Sequence, residues 1–209
     1  MPQRPDRTDV REQGQGETIR FHPPPAALGR GRDRRSAGRV EAGRRGRHRA
    51  FRLRPFLPNL RKRLIKTPKL YFFDSGLLCF LLGIREPDQL RQHPMRGAVF
   101  ESWVISEVLK ACYHRGVSPS AFFFQDRRGH EVDLVVEQGT RITAAEIKSA
   151  STLTADFLDP LLSFRAELAE VGGPEAALVL VHGGEQASVR RGVKIVPWRH
   201  LDAWTRRLA

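Results

Sequence analysis

The stretch that decides the fold is residues 121–148, which read AFFFQDRRGHEVDLVVEQGTRITAAEIK. It contains three short apolar runs of the kind that form β-strands, and from Val132 onward apolar residues occupy every second position of the middle run. Turn-forming residues at 126–129 and 138–140 separate the three runs. The stretch therefore predicts a meander of three strands, at Ala121–Gln125, His130–Glu137 and Arg141–Lys148.

The segments on either side of this meander predict further strands and the helices that cover the sheet. Apolar residues at helical spacing predict a helix over Gly97–Tyr113, and the continuously apolar Ala176–Val181 is typical of an interior strand. Together with the meander they indicate an α/β sandwich. The other predicted elements are a strand-like run at Leu70–Gly76, a short buried helix at Leu77–Gly83 capped by Asp74 or Ser75, a polar linker at Glu86–Pro94, a helix within Asp156–Glu170 that Pro160 delays or opens, a strand at Val193–Val196 and a closing helix at Trp198–Leu208.

Charge divides the chain into two parts. The net charge of +13 comes entirely from residues 1–66, which hold 19 Lys and Arg against 6 Asp and Glu, whereas residues 67–209 hold 17 of each. Residues 1–54 are rich in Arg, Gly and Pro without an apolar period, so they predict a disordered basic segment. Such a segment is either a nucleic-acid-binding arm or a stretch with no dedicated role. Residues 55–209 are predicted to form the folded domain.

The remaining composition predicts a cytoplasmic protein that does not enter the membrane. Cys79 and Cys112 lack the spacing of a zinc site or a disulfide framework, which favours a reducing compartment. The first twenty residues contain no apolar signal-peptide core. The longest apolar run, Leu77–Ile84, is too short to cross a bilayer.

Four polar residues lie among apolar residues at positions where burial would be unfavourable for a charged side chain. Glu101 lies on or beside the apolar stripe of the predicted helix, and Asp133 lies in the middle of an apolar strand. Glu146 and Lys148 alternate on the next strand, so their side chains share one face about 6 to 7 Å apart. A tight loop at 138–141 would place Asp133 opposite Glu146, whereas a register shift of one residue would separate them. Burying a carboxylate is costly unless it is paired or binds a cation.

A metal site is the first explanation of these residues. Asp133 and Glu146 would bind Mg²⁺ directly, with the Ile147 carbonyl as a third ligand. Glu101 would join through water or hold a second metal ion. Lys148 would orient the attacking water and help to deprotonate it, or would stabilise the charge of the transition state.

A structural explanation stays open beside it. An exposed strand face would account for the Glu-x-Lys pattern without any site. Asp133 could also form a structural ion pair with Arg127 or Lys148.

Four blocks of sequence carry a resemblance to one family: KTPKLYFFDSGL at 66–77, RGAVFE at 96–101, GHEVDL at 129–134 and EIKS at 146–149. They resemble the domain of unknown function at the C-terminus of predicted bacterial and archaeal AAA ATPases, which is similar to the PD-(D/E)xK nucleases. The resemblance covers about residues 55–205. It implies a restriction-endonuclease-like mixed central sheet flanked by helices, with DNA as a substrate and an ATPase module as a partner. Within it Glu101, Asp133, Glu146 and Lys148 match the nuclease motif.

The sequence also departs from that family. It contains no G-x-x-x-x-G-K-[ST] phosphate loop, so we expect no ATP site of that type in this chain. The Arg/Gly/Pro-rich run replaces a small winged-helix-like segment, which favours a truncated reading frame in which residues near 1–50 are read out of frame. Three function classes remain: a Mg²⁺-dependent nuclease acting on DNA, a catalytically silent binding or regulatory module, and a fragment without independent activity.

Overall fold

A mixed β-sheet with helices on both faces forms the centre of the structure, a computed structural model that describes residues 49–57, 67–126 and 128–208. The strands are β1 Ala50–Pro55, β2 Lys69–Phe72, β3 Ser120–Gln125, β4 Glu131–Gln138, β5 Arg141–Lys148, β6 Ala176–His182, β7 Ser188–Arg190 and β8 Val193–Pro197. The helices are α1 Ser75–Leu81, α2 Pro87–Gln92, α3 Arg96–His114, α4 Asp159–Glu170 and α5 Leu201–Thr205, with short 3-10 turns at Ala155–Leu158 and Trp198–His200.

The eight strands lie in the order β2-β1-β3-β4-β5-β6-β8-β7. The pairs β1–β3, β5–β6 and β6–β8 are parallel, and the other neighbouring pairs are antiparallel. Two-residue turns of the chain suffice to join antiparallel neighbours, whereas parallel neighbours need a crossover. Here α4 makes the crossover from β5 to β6, and it packs on β4, β5 and β6. The predicted α/β architecture with a flanked mixed sheet is confirmed.

Each face of the sheet has its own apolar core. On one face α3 contributes Val104, Ile105, Val108 and Leu109, a helical spacing that points one stripe at the strands, and α5 packs beside it. On the other face α4 buries Phe164 together with two leucines. Because β5 is covered on both sides, its even-numbered Ile142 and Ala144 and its odd-numbered Ala145 and Ile147 enter opposite cores. No helix within the described ranges combines the length and apolar character needed to span a bilayer.

The predicted meander is confirmed as β3, β4 and β5. Antiparallel pairing joins Gln138 to Arg141 across the turn and runs along the ladder to Leu134 opposite Ala145. Gly139 has a φ of 61°, which suits a residue without a Cβ in this turn. A bulge interrupts the β3–β4 ladder between Phe122 and Phe124, close to the position of Asp133.

The start of the sheet differs from the sequence prediction. Strand β1 crosses the predicted boundary between residues 54 and 55, so the sheet begins at Ala50. Phe51 and Leu53 are buried in this strand while Arg52 is exposed, which is the alternation typical of a strand with one buried face. The surrounding sequence is nevertheless rich in arginine. The predicted disorder and out-of-frame origin of residues 1–48 concern a segment outside the described residues.

Three smaller predictions are corrected. The predicted linker contains the short helix α2. A capping box between Glu86 and Gln89 and a proline in the first turn stabilise this helix, although none of its residues is buried. Helix α1 has the predicted Asp74 cap but is not buried, and its Phe80 is 60% exposed. The closing segment is helical only over Leu201–Thr205 and begins with a 3-10 turn. Pro160 lies in the first turn of α4, as one of the two alternatives had it.

The loops that follow β5 and β6 are in close contact. The Gly183 N–H donates to the carbonyls of Lys148 and Ala150, each at 3.0 Å. A Cβ at Gly183 would overlap the Ser149 carbonyl oxygen, so only glycine fits without a shift of the backbone. The Arg96 guanidinium donates to the same Ser149 carbonyl at 2.8 Å. The chain that leaves Lys148 is therefore fixed on two sides.

Candidate active site

Helix α3 and strands β4 and β5 bring together the four residues singled out in the sequence. Glu101 lies near the start of α3, Asp133 near the start of β4, and Glu146 and Lys148 at the end of β5. Asp133 is buried, and its Oδ2 accepts a hydrogen bond from the Ile147 N–H at 2.7 Å. The predicted proximity of Asp133 to the Glu146–Lys148 segment is thus present, held by a backbone bond across the two strands.

Glu146 is the least exposed acid of the group. Its Oε1 lies 2.5 Å from the Lys148 ammonium, while its side chain is 2% exposed and that of Lys148 is 34% exposed. The Glu146 Oε2 has no hydrogen-bond partner among the described residues. An orphaned carboxylate oxygen in such a place needs a proton or a cation, because desolvation of an unpaired charge is costly.

Burial, together with neighbouring charges, changes the ionisation of this group. Burial raises the pKa of Glu146 to about 7, although Lys148 opposes the rise. Burial, followed by the Glu146 and Glu101 carboxylates, raises the pKa of Asp133 well above its usual value. Burial lowers the pKa of Lys148, but the Glu146 and Asp133 carboxylates outweigh that effect and raise it overall. Lys148 therefore stays an ammonium at neutral pH, and the two buried acids compete for protons.

Three further residues belong to the site, and the sequence reasoning did not assign them to it. Tyr71 on β2 donates from its hydroxyl to Glu101 Oε1 at 2.5 Å. Lys69, two residues earlier on β2, lies 3.5 Å from the same oxygen and forms a salt bridge with Glu131 on β4. The available signal was the spacing of Lys69, Tyr71, Glu131 and Asp133, since residues two apart on a strand share a face.

Electrostatics of the β2 residues follow from these contacts. Burial lowers the pKa of Lys69, but the Glu101 and Glu131 carboxylates outweigh it and raise the pKa overall. Burial and the Glu101 carboxylate raise the pKa of the Tyr71 hydroxyl, which stays protonated as a hydrogen-bond donor. Glu101 thus accepts a hydrogen bond from the neutral Tyr71 hydroxyl and also lies beside the Lys69 ammonium.

The donor set fits a hard cation held by few protein ligands. In the described ranges no three His, Cys, Asp or Glu side chains are placed as a ready-made metal cluster. Mg²⁺ is commonly bound by one or two carboxylates with water and substrate phosphate completing the shell. Asp133 and Glu146 supply two carboxylates, and the Oε2 atom of Glu146 has no partner in the described part of the chain, so the pair matches that requirement. Of the structural alternatives, the salt bridge of Lys148 is made with Glu146, and Arg127 lies outside the described residues.

Comparison with protein families identifies the fold's relatives. Residues 96–201 match the family described as Domain of unknown function (DUF4143). The chain belongs to this family. DUF4143 domains are often found C-terminal to AAA ATPase-like modules, in agreement with the resemblance to the C-terminal domain of AAA ATPases. Residues 48–88 match a second domain of unknown function, DUF8612.

The DUF4143 match contains Glu101, Asp133, Glu146 and Lys148, whereas Lys69 and Tyr71 fall in the DUF8612 match. The site is therefore built from both matched regions.

Two curated proteins are similar to this DUF4143 chain. They are the uncharacterized protein Mb2031c of Mycobacterium bovis and the uncharacterized protein Rv2008c of Mycobacterium tuberculosis, each 32% identical over 134 residues. The match covers 64% of this chain and 28% of each relative. The chain thus corresponds to a minor part of the length of these relatives.

Proposed function

We propose that this domain is a Mg²⁺-dependent nuclease that hydrolyses phosphodiester bonds in DNA. The observation that carries the proposal is the orphaned Oε2 of Glu146, buried beside Asp133 in a group that also contains Glu101 and Lys148. A buried carboxylate oxygen without a protein partner calls for a proton, a water molecule or a cation, and the neighbouring acids favour a cation. Nucleases of the PD-(D/E)xK type, which the sequence resembles, use the same residue types.

Asp133 and Glu146 would hold the metal ion, with the Ile147 carbonyl as a third protein ligand. The bound ion would supply Lewis-acid stabilisation of the phosphate and lower the pKa of a coordinated water. The bond from the Ile147 N–H holds Asp133 against β5, so that both acids are pre-positioned. Their raised pKa values imply that the metal-free site holds protons, which a divalent cation would displace.

Lys148 would act as a charge stabiliser. In the metal-free protein burial lowers its pKa but the Glu146 and Asp133 carboxylates outweigh that effect, so it is an ammonium there. A metal ion bound to the same carboxylates would remove much of their effect on the lysine, so help in deprotonating the attacking water stays the alternative role. A third of its side chain is exposed, so it can reach a substrate phosphate while its other contact holds Glu146.

The test is cleavage of plasmid and single-stranded DNA by the purified protein with Mg²⁺ or Mn²⁺. Asp133→Asn should abolish cleavage and Mn²⁺ binding, because it removes one ligand charge. Lys148→Ala should abolish cleavage while Mn²⁺ still binds. Lys110→Ala is a matched control, since Lys110 pairs with Glu107 on the surface of α3 at 2.8 Å, away from the group.

Three outcomes of this test can be told apart. Cleavage that needs metal, is lost in both site variants and survives in the control supports it. Absence of cleavage and of Mn²⁺ binding, in protein that unfolds cooperatively, would refute it. EDTA-resistant cleavage equal in all variants would point to a contaminating nuclease.

A catalytically silent binding or regulatory module is the second candidate. The observation that favours it is that Lys148 and Lys69 already contact the acids, so the group can hold the sheet together without a metal ion. Such a module would dock on an ATPase partner. Metal-independent binding to that partner, with no cleavage under any condition above, would favour this candidate.

A further inference from the structure

Lys69 lies between two carboxylates at the β2 side of the site. Its ammonium forms a salt bridge with Glu131 and lies 3.5 Å from Glu101 Oε1. The same ammonium lies 5.3 Å from the centre of the Phe123 ring, which provides a third attraction for a cation at this position. The lysine is thus held by two acids and an aromatic face, each from a different element.

The Oε1 atom of Glu101 is already in contact with two groups. Its Oε1 accepts the Tyr71 hydroxyl at 2.5 Å and faces Lys69. Both groups come from β2 and arrive at the same oxygen. A metal ion that used this oxygen would have to displace a lysine that is itself anchored at Glu131.

We propose that Lys69 takes the place of a second divalent cation and restricts the site to a single metal ion, held at Asp133 and Glu146. The inference rests on the proposed function and deepens it, because it assigns the Glu101–Glu131 side of the site to a lysine instead of a second ion. Two-metal nucleases need ions about 3.5–4 Å apart, bridged by shared carboxylates. Here the second carboxylate pair is occupied by an internal ammonium.

Formal charge supports a single ion. The four carboxylates of Glu101, Glu131, Asp133 and Glu146 face the two ammonium groups of Lys69 and Lys148. The remaining formal charge is that of two anions, which one divalent cation balances. In the protein without DNA, a second cation would leave an excess of positive charge unless one lysine withdrew.

The experiment counts Mn²⁺ ions bound per chain, by titration calorimetry and by the electron paramagnetic resonance signal of free Mn²⁺. Wild-type protein should bind one ion. Lys69→Met, which keeps the apolar length of the side chain, should bind two, the second weakly. Lys69→Arg should keep the count at one because it restores the cation. Lys110→Met is the matched control on the surface of α3 and should also bind one.

A second readout covers the case in which loss of the lysine loosens the fold. Lys69→Met leaves Glu101 and Glu131 without their cation, so added Mn²⁺ should raise its Tm by more than it raises the wild-type Tm. Adding Glu101→Gln to Lys69→Met should return the count to one and remove the extra rise in Tm.

Each outcome has one meaning. One ion in wild type and two in Lys69→Met support the inference. One ion in both proteins, or two ions already in wild type, overturns the inference and leaves the nuclease proposal standing. No ion in wild type overturns both.

Discussion

Replacement of Glu146 by Gln tests how much unfolding free energy the protein loses when this buried acid ionises. An acid whose pKa is higher in the folded protein than in the unfolded chain gives stability at low pH that is lost as the pH rises through that interval. For Glu146 the interval runs from the usual 4.5 to about 7. At about 1.4 kcal/mol for each pH unit, the metal-free protein should lose about 3 kcal/mol of unfolding free energy between pH 4.5 and 7. Glu146→Gln cannot ionise at this position and should keep only the pH dependence that Asp133 causes, so its stability relative to wild type should be higher at pH 8 than at pH 5.

Denaturation in urea at pH 5 and pH 8, with EDTA present, measures this difference. The glutamine keeps an oxygen that can accept from Lys148, so the comparison isolates the charge. Glu107→Gln removes an acid from a surface Glu–Lys pair and should change the unfolding free energy by less than about 1 kcal/mol at either pH. Mn²⁺ at pH 8 should stabilise wild type and leave Glu146→Gln unchanged. Equal pH dependence in wild type and Glu146→Gln would refute the reasoning.

Two further substitutions test the framework around the site. Phe164→Ala should cost about 3–5 kcal/mol in urea unfolding, because Phe164 is fully buried and its ring centre lies 4.9 Å from that of Phe124; a cost below about 1 kcal/mol would contradict the described core. Gly183→Ala should cost about 1–3 kcal/mol and reduce cleavage, because its Cβ would displace Ser149. Gly97→Ala is the control, since a Cβ there meets no atom within 4 Å and should be neutral or stabilising; equal stability of the two variants would show that the loops tolerate the shift.

Sequence patterns predicted the parts of the fold that depend on local burial. Helix α3 and strands β3 to β5 begin and end within one residue of their predicted positions, because their apolar residues follow the period of the element. Strand β1 was missed because its Phe51 and Leu53 are embedded among arginines, and its burial comes from partners β2 and β3, which lie later in the chain. Helix α2 lacks any buried residue and so has no apolar stripe to detect. Strand β7 was also missed, because it is only three residues long and lies at the edge of the sheet.

The candidate site was predictable only in part for a similar reason. Asp133 and Glu146 lie on two strands that a tight turn connects, so the register of this hairpin determines how close they are. Glu101 was identified from its place beside an apolar stripe. Lys69 and Tyr71 reach the site only because β2 lies beside β1, which in turn lies beside β3. That arrangement depends on pairing between distant parts of the chain; the two-residue spacing of Lys69 and Tyr71 shows that they share a face but not which strand lies beside them.

The position of β1 has a practical consequence for any shortened form of the protein. A chain that began at residue 55 would lack the strand that lies between β2 and β3. Strand β3 would then be an edge strand that presents unpaired backbone groups beside Phe122, Phe123 and Phe124. Exposed edges with such aromatic, uncharged runs pair readily with other chains and aggregate. A shortened chain that includes Ala50 onward should stay monodisperse where one beginning at residue 55 precipitates.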